Sequence, residues 1–340
     1  MDLKPYIAEV INNRDLSFEQ ARDAMDLIMS GSATQAQIGS YLTALRMKRE
    51  TGDEIAGSAF SMRAHVIGVD VAGLAGGKVY DVVGTGGDGT HTFNVSTTTA
   101  FVVAGAGKVV AKHGNRGVSS RSGSADCLMA LGGNLNLTAE QTTDVISEAG
   151  IGFLYAVKHH PAMRYAIGPR RELGQRTIFN ILGPLTNPAN ATHYMLGVFA
   201  PEYTEPMAYT LGKLGATAAY VVHGASGLDE LSITGVNRVS HLKDGVVTTF
   251  EQDPRSLGME LGALEDLIGG EPSDNAAITR GILSGEIQGH KRNIVLLNAA
   301  GALSVETGDW EAGLAEATQS IDSGAALAKL DAWIEMTNKV

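Results

Sequence analysis

Short runs of β-branched and other apolar residues alternate with amphipathic segments over most of the chain, and this alternation is typical of α/β proteins. The short runs predict strands and the amphipathic segments predict helices. The predicted order is strand 79–83, helix 95–106, strand 109–112, helices 122–131 and 139–149, strand 151–155, then strands 194–199 and 218–223. We therefore predict an α/β fold with a mostly parallel central sheet flanked by helices.

The first 68 or so residues have a purely helical pattern. Serine or threonine stands three residues before glutamine or glutamate at 17–20, 32–35 and 51–54, which is the spacing of a helix capping box. Apolar residues between 38 and 45 recur at the spacing of one helix face. Small residues from 66 to 77 then predict a linker.

A later helical segment, 161–174, ends at a glycine and precedes the chain-breaking sequence GPLTNP at 183–188. We expect this segment to return to the helical N-terminal part. The predicted organisation is a small all-helical domain of residues 1–70, completed by helices from about 161–185, and a larger α/β domain of residues 75–160 and 190–340. Within the latter, alternation from about 231 to 250 predicts a strand meander, and the last 70 residues look helical.

Composition excludes several classes of protein. The 340 residues, 44% of them hydrophobic, suffice to bury a full core. A formal charge of −11 argues against a general nucleic-acid binder, which would present a basic face. The single cysteine, Cys127, excludes an internal disulfide and a thiolate metal cluster, which suits the cytoplasm. No leader pattern and no run of about 18 apolar residues is present, so neither secretion nor membrane insertion is expected.

The clearest functional signal is the sequence GTGGDG at 84–89, directly after the first predicted strand. Glycines let the backbone approach an anion, and the N-terminus of the following helix favours negative charge. The spacing also fits a dinucleotide-binding loop, but that site needs an acid about 20 residues further on. No Asp or Glu occurs between Asp88 and Asp126, and residues 105–108 lack the hydroxyl of a Walker loop. We therefore predict a bound pyrophosphate group without an adenine dinucleotide.

A second glycine-bearing loop, 112–120, follows the next predicted strand. Lys112 would neutralise phosphate as a point charge, and Arg116 would either contact the ligand or support the loop by pairing with Asp88 or Asp126. Further donors are Asn115, Ser119, Ser120 and Ser124. Two such loops at adjacent strand ends predict a large, polyanionic ligand.

The adjacent carboxylates Asp229 and Glu230 follow the strand at 218–223, at the end where α/β sheets bind ligands. Such oxygen ligands suit Mg²⁺, and Ser96 would add a hydroxyl or simply cap its helix. Arg170, late in the segment 161–174, either captures a carboxylate or is an exposed cation favoured by the helix dipole. No signature of a catalytic nucleophile or general base is present.

In this order the motifs resemble those of the anthranilate phosphoribosyltransferase family. The resemblance rests on residues 84–88, 94–97, 112–116, 119–126, 170–174, 179–188 and 227–230. It implies a cytoplasmic enzyme that transfers the phosphoribosyl group of phosphoribosyl pyrophosphate (PRPP) to the amino group of anthranilate. It also implies a homodimer formed through the helical domain, with the active site between the domains and no nucleic-acid or membrane partner.

The resemblance further implies residue roles. PRPP would be held by Gly84, Gly87, Asp88, Thr92, Asn94, Val95, Ser96, Thr97, Lys112, His113, Gly114, Asn115, Arg116, Gly117, Val118, Ser119, Ser120 and Ser124. Anthranilate would contact Gly84, His113, Asn115 and Arg170. Two Mg²⁺ ions per subunit would be bound by Ser96, Asp229 and Glu230.

Two other functions remain open at the level of sequence. A pyrimidine-nucleoside phosphorylase shares this fold and a similar glycine loop, with phosphate as a substrate. A non-catalytic relative that binds nucleic acid is the other, and the acidic balance and the intact Asp229-Glu230 pair argue against it.

Overall fold

The protein is described here from a computed structural model that covers residues 2–117 and 121–340. Val118, Ser119 and Ser120, which the resemblance assigns to PRPP, lie outside the described residues. The strands are β1 (Val79–Gly84), β2 (Val109–Gly114), β3 (Ile151–Tyr155), β4 (His193–Gly197), β5 (Ala218–His223), β6 (Asn237–Lys243) and β7 (Val246–Gln252). The helices are α1 (Lys4–Ile11), α2 (Phe18–Met29), α3 (Gln35–Lys48), α4 (Gly52–Ala64), α5 (Val95–Gly105), α6 (Ser124–Ala130), α7 (Ala139–Ala149), α8 (Ala156–His159), α9 (Arg164–Leu173), α10 (Phe179–Leu182), α11 (Thr204–Lys213), α12 (Pro272–Leu283), α13 (His290–Ser304), α14 (Trp310–Asp322) and α15 (Ala325–Lys339).

The strands form one sheet in the order β3-β2-β1-β4-β5-β6-β7. The first five strands in this order run parallel, and β6 and β7 extend the sheet as an antiparallel hairpin. The predicted α/β class with a mostly parallel sheet is confirmed. Successive strands are added on one side of β1 up to β3 and on the other side from β4 onward, so the switch point lies between β1 and β4. In open α/β sheets ligands bind at the carboxyl ends of the strands beside such a point.

Most predicted elements have the expected bounds, and the differences have local causes. The meander expected over 231–250 is the single hairpin of β6 and β7. The capping box expected at Ser32 is wrong, because Thr34 caps α3 and accepts from the N–H of Gln37. The N–H groups of residues 32 and 33 bond back to Leu27 O, at 3.0 and 3.1 Å, and still close the end of α2.

Two apolar clusters cover the two faces of the sheet. Helices α5 and α12 to α15 supply nearly half of the buried residues of one cluster. The other joins the opposite face of the sheet to the N-terminal helices through buried residues such as Ile38, Leu42, Leu182 and Leu196. Helix α9 packs against α2 and α3, so the chain does return to the N-terminal helices after β3.

None of the helices in the described ranges is long and apolar enough to cross a membrane.

Candidate active site

The loop after β1 is fixed at its start and leaves three amides free. The Thr85 N–H donates to Gly197 O at 2.9 Å, and the Gly86 N–H donates to the Asp229 carboxylate at 2.5 Å. Gly86, Gly87 and Gly89 have φ of 72°, 76° and 76°, a region that favours glycine. Within residues 2–117 and 121–340, the N–H groups of Gly87, Asp88 and Gly89 have no acceptor. Consecutive free amides in such a loop are typical of an anion-binding nest.

Asp229 crosses directly over the switch point, which explains two of the glycines. A Cβ on Gly197 would lie 1.6 Å from the Asp229 carbonyl oxygen, and one on Gly84 would lie 2.3 Å from Asp229 Oδ2. Only glycine at the ends of β1 and β4 allows this approach. The carboxyl ends of these two strands therefore hold Asp229 beside the glycine loop.

Asp229 and Glu230 are both buried, with 8% of each exposed. Burial raises the pKa of Asp229, and Asp88 nearby raises it further. Burial also raises the pKa of Glu230, and so does the neighbouring Asp229, although the charge of Lys112 and, to a lesser extent, the Ser96 hydroxyl oppose this. In the described part of the chain neither carboxylate has a cation within ion-pair distance. A metal cation next to the pair would oppose these rises and favour the charged form of both carboxylates.

Lys112 lies beneath this site and is almost completely buried. Its Nζ donates to Val82 O at 2.5 Å and to Ser96 Oγ at 3.2 Å. Burial lowers the pKa of Lys112, and the charges of Asp81, Glu230 and Asp229 oppose that change. The ammonium group therefore joins β1 to the start of α5 and faces an acidic cluster without a direct ion pair.

At the start of α5, only Ser96 offers its side chain to a ligand, and the helix otherwise offers backbone amides. Val95 and Thr97 are 2% and 0% exposed. The Thr97 hydroxyl is buried with no partner among the described residues. The helix also begins at Asn94 without a side-chain cap. The Val95 amide donates to Phe93 O at 2.7 Å, whereas the amides of Ser96 and Thr97 have no acceptor in the described ranges and are available to an anion.

The side-chain oxygen of Asn94 already accepts two hydrogen bonds. Asn94 Oδ1 accepts from Asn275 Nδ2 at 2.9 Å and from Ser122 Oγ at 3.2 Å. Asn94 Nδ2 donates to Ser122 O at 3.2 Å, which leaves one N–H of the amide for a ligand. Thr92, two residues earlier, pairs with Ile268 through a backbone bridge.

In the second loop, structural contacts account for several candidate residues. Arg116 is exposed and donates to Tyr155 Oη at 3.1 Å, with Asp126 at 3.9 Å; Asp88 instead accepts from the amide and hydroxyl of Thr90. The amide of Gly117 donates to Asp126 Oδ2 at 3.0 Å. Ser124 Oγ donates to Asn115 O at 3.1 Å, and a Cβ on Gly114 would lie 2.3 Å from that hydroxyl oxygen. The side chain of Asn115 accepts from the Arg116 amide.

His113 is paired with His160, a residue that the sequence analysis did not assign. Because Gly183 O can only accept, His113 Nδ1 carries a hydrogen and donates to it at 3.0 Å. His113 Nε2 is then the acceptor for His160 Nε2, at 3.1 Å. Burial lowers the pKa of His113 well below its usual value and lowers that of His160 to about 4. Both rings are neutral at pH 7, and the lone pair of His113 is already used.

Arg170 is a half-buried cation in the last turn of α9. Its guanidinium lies over the Phe179 ring, 5.2 Å from the centroid, and burial lowers its pKa. Within the described ranges no carboxylate lies within ion-pair distance of it. A half-buried guanidinium that lacks an anion is suited to capture a carboxylate from a ligand.

Other residues in the site came from long-range contacts that have no sequence signal. Asp81 is fully buried and accepts from the His113 amide at 3.1 Å and from Asn187 Nδ2 at 2.7 Å. Burial raises the pKa of Asp81 to about 6. These bonds join β1, β2 and the GPLTNP segment; Asn187 belongs to that segment, but nothing in the sequence marks Asp81 as its partner.

The donor set fits Mg²⁺. In the described residues no three His, Cys, Asp or Glu side chains form a metal-binding cluster. A bound cation would therefore need other oxygen ligands besides carboxylates. Asp229 and Glu230 supply two carboxylates and Ser96 a hydroxyl, and Mg²⁺ commonly completes its shell with water and substrate phosphates.

Fold and site together define a transferase of phosphorylated sugars, built from a helical bundle and an α/β domain. The sequence matches "Glycosyl transferase family, helical bundle domain" over residues 4–66 and "Glycosyl transferase family, a/b domain" over residues 76–327. Curated relatives include the anthranilate phosphoribosyltransferase of Desulfosudis oleivorans, 52% identical over 97% of both chains, and that of Moorella thermoacetica, 51% identical over 98% of both. The chain belongs to the anthranilate phosphoribosyltransferase family.

Solved structures agree with this assignment. The crystal structure of the Thermus thermophilus enzyme has a TM-score of 0.92 and 40% identity, covering 99% of this chain and 100% of that one. The Saccharomyces cerevisiae enzyme in complex with PRPP and Mg has a TM-score of 0.90 and 29% identity, covering 99% and 98%. The family resemblance predicted from the motifs is confirmed.

Proposed function

We propose that this chain transfers the phosphoribosyl group of PRPP to the amino group of anthranilate, as its family does, at the carboxyl ends of β1, β2, β4 and β5. The products are N-(5-phosphoribosyl)anthranilate and pyrophosphate, in tryptophan biosynthesis. The observation that carries the proposal is the combination of a glycine loop with free amides and two buried carboxylates that, among the described residues, lack a cation.

The donor PRPP is proposed to lie between the two glycine loops. The free amides of Gly87, Asp88 and Gly89 supply donors for the pyrophosphate group, as do the amides of Ser96 and Thr97 in the first turn of α5. Lys112 adds positive charge from below. The remaining PRPP contacts proposed from the family resemblance are those of the second loop, where Asn115, Arg116 and Ser124 already serve to shape the loop.

We propose that Mg²⁺ is held by Asp229, Glu230 and Ser96, with two ions in each subunit. The bound cation supplies positive charge next to the departing pyrophosphate. Burial of the carboxylates supports this assignment, because two buried anions without a partner are costly to keep charged.

Anthranilate is proposed to bind with its carboxylate on Arg170, near His113. The C1–O bond to pyrophosphate breaks through an oxocarbenium-like state, and the neutral amine forms the new C1–N bond and then releases a proton to water. An aromatic amine needs no strong base for this attack. That fits the neutral, hydrogen-bonded state of His113 and His160. Holding both reactants in place is then the main catalytic contribution of the protein.

The test is the loss of anthranilate fluorescence with PRPP and Mg²⁺, measured with and without EDTA and coupled to pyrophosphate release. Metal-dependent loss with one pyrophosphate per anthranilate is the expected result. Folded protein that consumes no anthranilate, but cleaves thymidine or uridine in phosphate buffer, would contradict the proposal and favour a nucleoside phosphorylase.

We further propose a helical domain of residues 1–70 with 161–185, through which two subunits form a homodimer. Support comes from exposed apolar side chains on helices that pack side by side: Ile11 on α1, Met47 on α3 and Ile167 on α9 are 62%, 81% and 46% exposed. Light scattering after gel filtration should give a dimer for the wild type and a monomer for Ile167→Glu. Val246→Glu, at an equally apolar exposed position on β7, should leave the dimer intact. A wild-type monomer would contradict the proposal.

We also propose a cytoplasmic location, on the ground that PRPP and the amino-acid pathway it feeds are found there.

A further inference from the structure

Arg176 is a cation that neither the sequence motifs nor the proposed function uses. It follows α9 directly, two residues after Gly174, which ends the helix with φ 58°. The side chain is exposed, and in the described part of the chain no carboxylate lies within ion-pair distance of it. Its charge is therefore not balanced by a neighbouring side chain.

The guanidinium of Arg176 instead contacts the glycine loop. Its Nη2 donates to Gly87 O, and its plane lies over the Phe199 ring, with Cζ 4.3 Å from the ring centroid. The amide of Phe199 in turn donates to Thr85 Oγ1 at 3.1 Å. Arg176 and Phe199 thus add a second set of contacts to the loop, besides Asp229, which accepts from the Gly86 amide.

The contact with Gly87 orients a particular peptide. The carbonyl of Gly87 belongs to the same peptide unit as the amide of Asp88, one of the three free N–H groups. Because a peptide unit is planar, a bond that fixes the carbonyl direction also fixes the amide on the opposite side. A loop with three glycines at positive φ has little intrinsic preference for one orientation, so an external contact has a large effect on it.

The contact also joins two parts of the fold. Arg176 leaves α9, which packs on α2 and α3 and carries Arg170, whereas Gly87 belongs to the loop after β1 in the sheet. We propose that Arg176 is a positioning residue, which orients the peptide between Gly87 and Asp88 for the pyrophosphate group of PRPP and so links the helix carrying the acceptor site to the donor loop. This inference rests on the proposed function of the loop.

The test compares Arg176→Gln with Arg171→Gln, which removes the same charge from an exposed side chain on α9. Losing the bond to Gly87 should raise the calorimetric Kd and the KM for Mg-PRPP about tenfold. The KM for anthranilate should stay within about twofold, since Arg170 and its helix are unchanged. Arg176→Lys should fall between, because an ammonium can donate to Gly87 O but cannot lie flat on Phe199.

Amide exchange supplies a readout that needs no substrate. In the absence of ligands, peptides covering 84–93 should exchange faster in Arg176→Gln than in Arg171→Gln, with the rest of the chain unchanged. If the two variants had the same Kd and the same KM for Mg-PRPP, the proposal would be overturned. An equal rise in the KM for Mg-PRPP and the KM for anthranilate, with unchanged amide exchange over 84–93, would overturn it too. Arg176 would then act at some place other than the glycine loop.

Failure of the proposed function is distinguishable from failure of this inference. A wild type that binds Mg-PRPP without consuming anthranilate would reject the acceptor and leave the comparison of Kd and exchange intact. Should Arg176→Gln not fold, the same measurements on Arg176→Lys decide the matter.

Discussion

Alanine at position 84 would place one extra carbon against the proposed metal ligand. The added Cβ would lie 2.3 Å from Asp229 Oδ2 and 3.0 Å from its Cγ. Because ordinary contacts of this kind begin at 3.4 Å, the carboxylate has to retreat by about 1 Å. Gly84 does not have a positive φ, so alanine adds no backbone strain, and the perturbation is confined to Asp229, whose carbonyl oxygen, 3.0 Å from the added Cβ, would also have to shift slightly.

A retreat of about 1 Å is large for a magnesium ligand. Mg²⁺ requires oxygens at about 2.1 Å in near-octahedral geometry, so a displaced Asp229 would leave the shell or distort it. The move would also stretch the bond from the Gly86 amide, now 2.5 Å, and loosen the glycine loop. We expect the Mg²⁺ concentration for half-maximal rate to rise at least about tenfold and turnover to fall about 100-fold, the typical effect of removing one group that stabilises developing charge.

Initial rates of anthranilate fluorescence loss against MgCl₂, at saturating PRPP, measure both quantities. Gly183→Ala is the matched control, because a Cβ there meets no atom within 4 Å and its φ is −49°. Thermal melts of both variants report whether the fold is kept. If a folded Gly84→Ala enzyme had the magnesium dependence and turnover of the wild type, the role of Asp229 as a closely placed metal ligand would be refuted.

Three further results are expected. Arg170→Gln should raise the KM for anthranilate about 10- to 100-fold with little change in the Kd for Mg-PRPP, as expected for a lost charge-assisted contact; an unchanged anthranilate KM would remove Arg170 from the acceptor site. Asn275→Ala should raise the KM for PRPP several-fold by freeing Asn94, and should lower the free energy of unfolding by about 1–3 kcal/mol in urea titrations; unaltered PRPP kinetics would count against a positioning role. The pKa of His160 is lowered from 6.5 to about 4, so the unfolded chain binds its proton first and the wild type should lose stability as pH falls from about 6.5 towards 4. His160→Gln should lose less over that range, and parallel urea-derived stability curves for the two proteins would show the reasoning to be wrong.

Elements with a complete local signal were predictable from the sequence. Helix α7 begins at a Thr138 capping box with Gln141 and ends at Gly150, which has φ 77°. Because both signals lie next to the helix, its predicted bounds of 139–149 match the structure. The capping box at Ser32 failed because the same spacing occurs at Thr34, and only the hydrogen bonds that close α2 decide between the two.

The two glycine loops were also predictable from local sequence, but the contacts that shape them were not. Asn275 lies 181 residues from Asn94, and Asn187 lies 106 residues from Asp81. Such pairs form only when the sheet brings distant segments together. Asn187 belongs to the GPLTNP segment, but no pattern in the sequence identifies the partner of either amide. Arg170 shows the intermediate case: its position on a helix was predicted, but its unpaired, half-buried state depends on the packing of α9.

The charges around the switch point explain why the proposed donor is a metal complex. Asp229 and Glu230 are buried close together, and the one cation beside them in the described ranges, Lys112, donates to a carbonyl and a hydroxyl instead of forming an ion pair. Burial already raises the pKa of both carboxylates, and free pyrophosphate would raise it further by adding negative charge beside them. A magnesium-pyrophosphate group brings the cation that the carboxylates lack and the anion that the free amides lack, so each half of the ligand satisfies a different half of the site. Selection for the complexed donor over the free anion therefore follows from burying the two carboxylates beside an anion-binding loop.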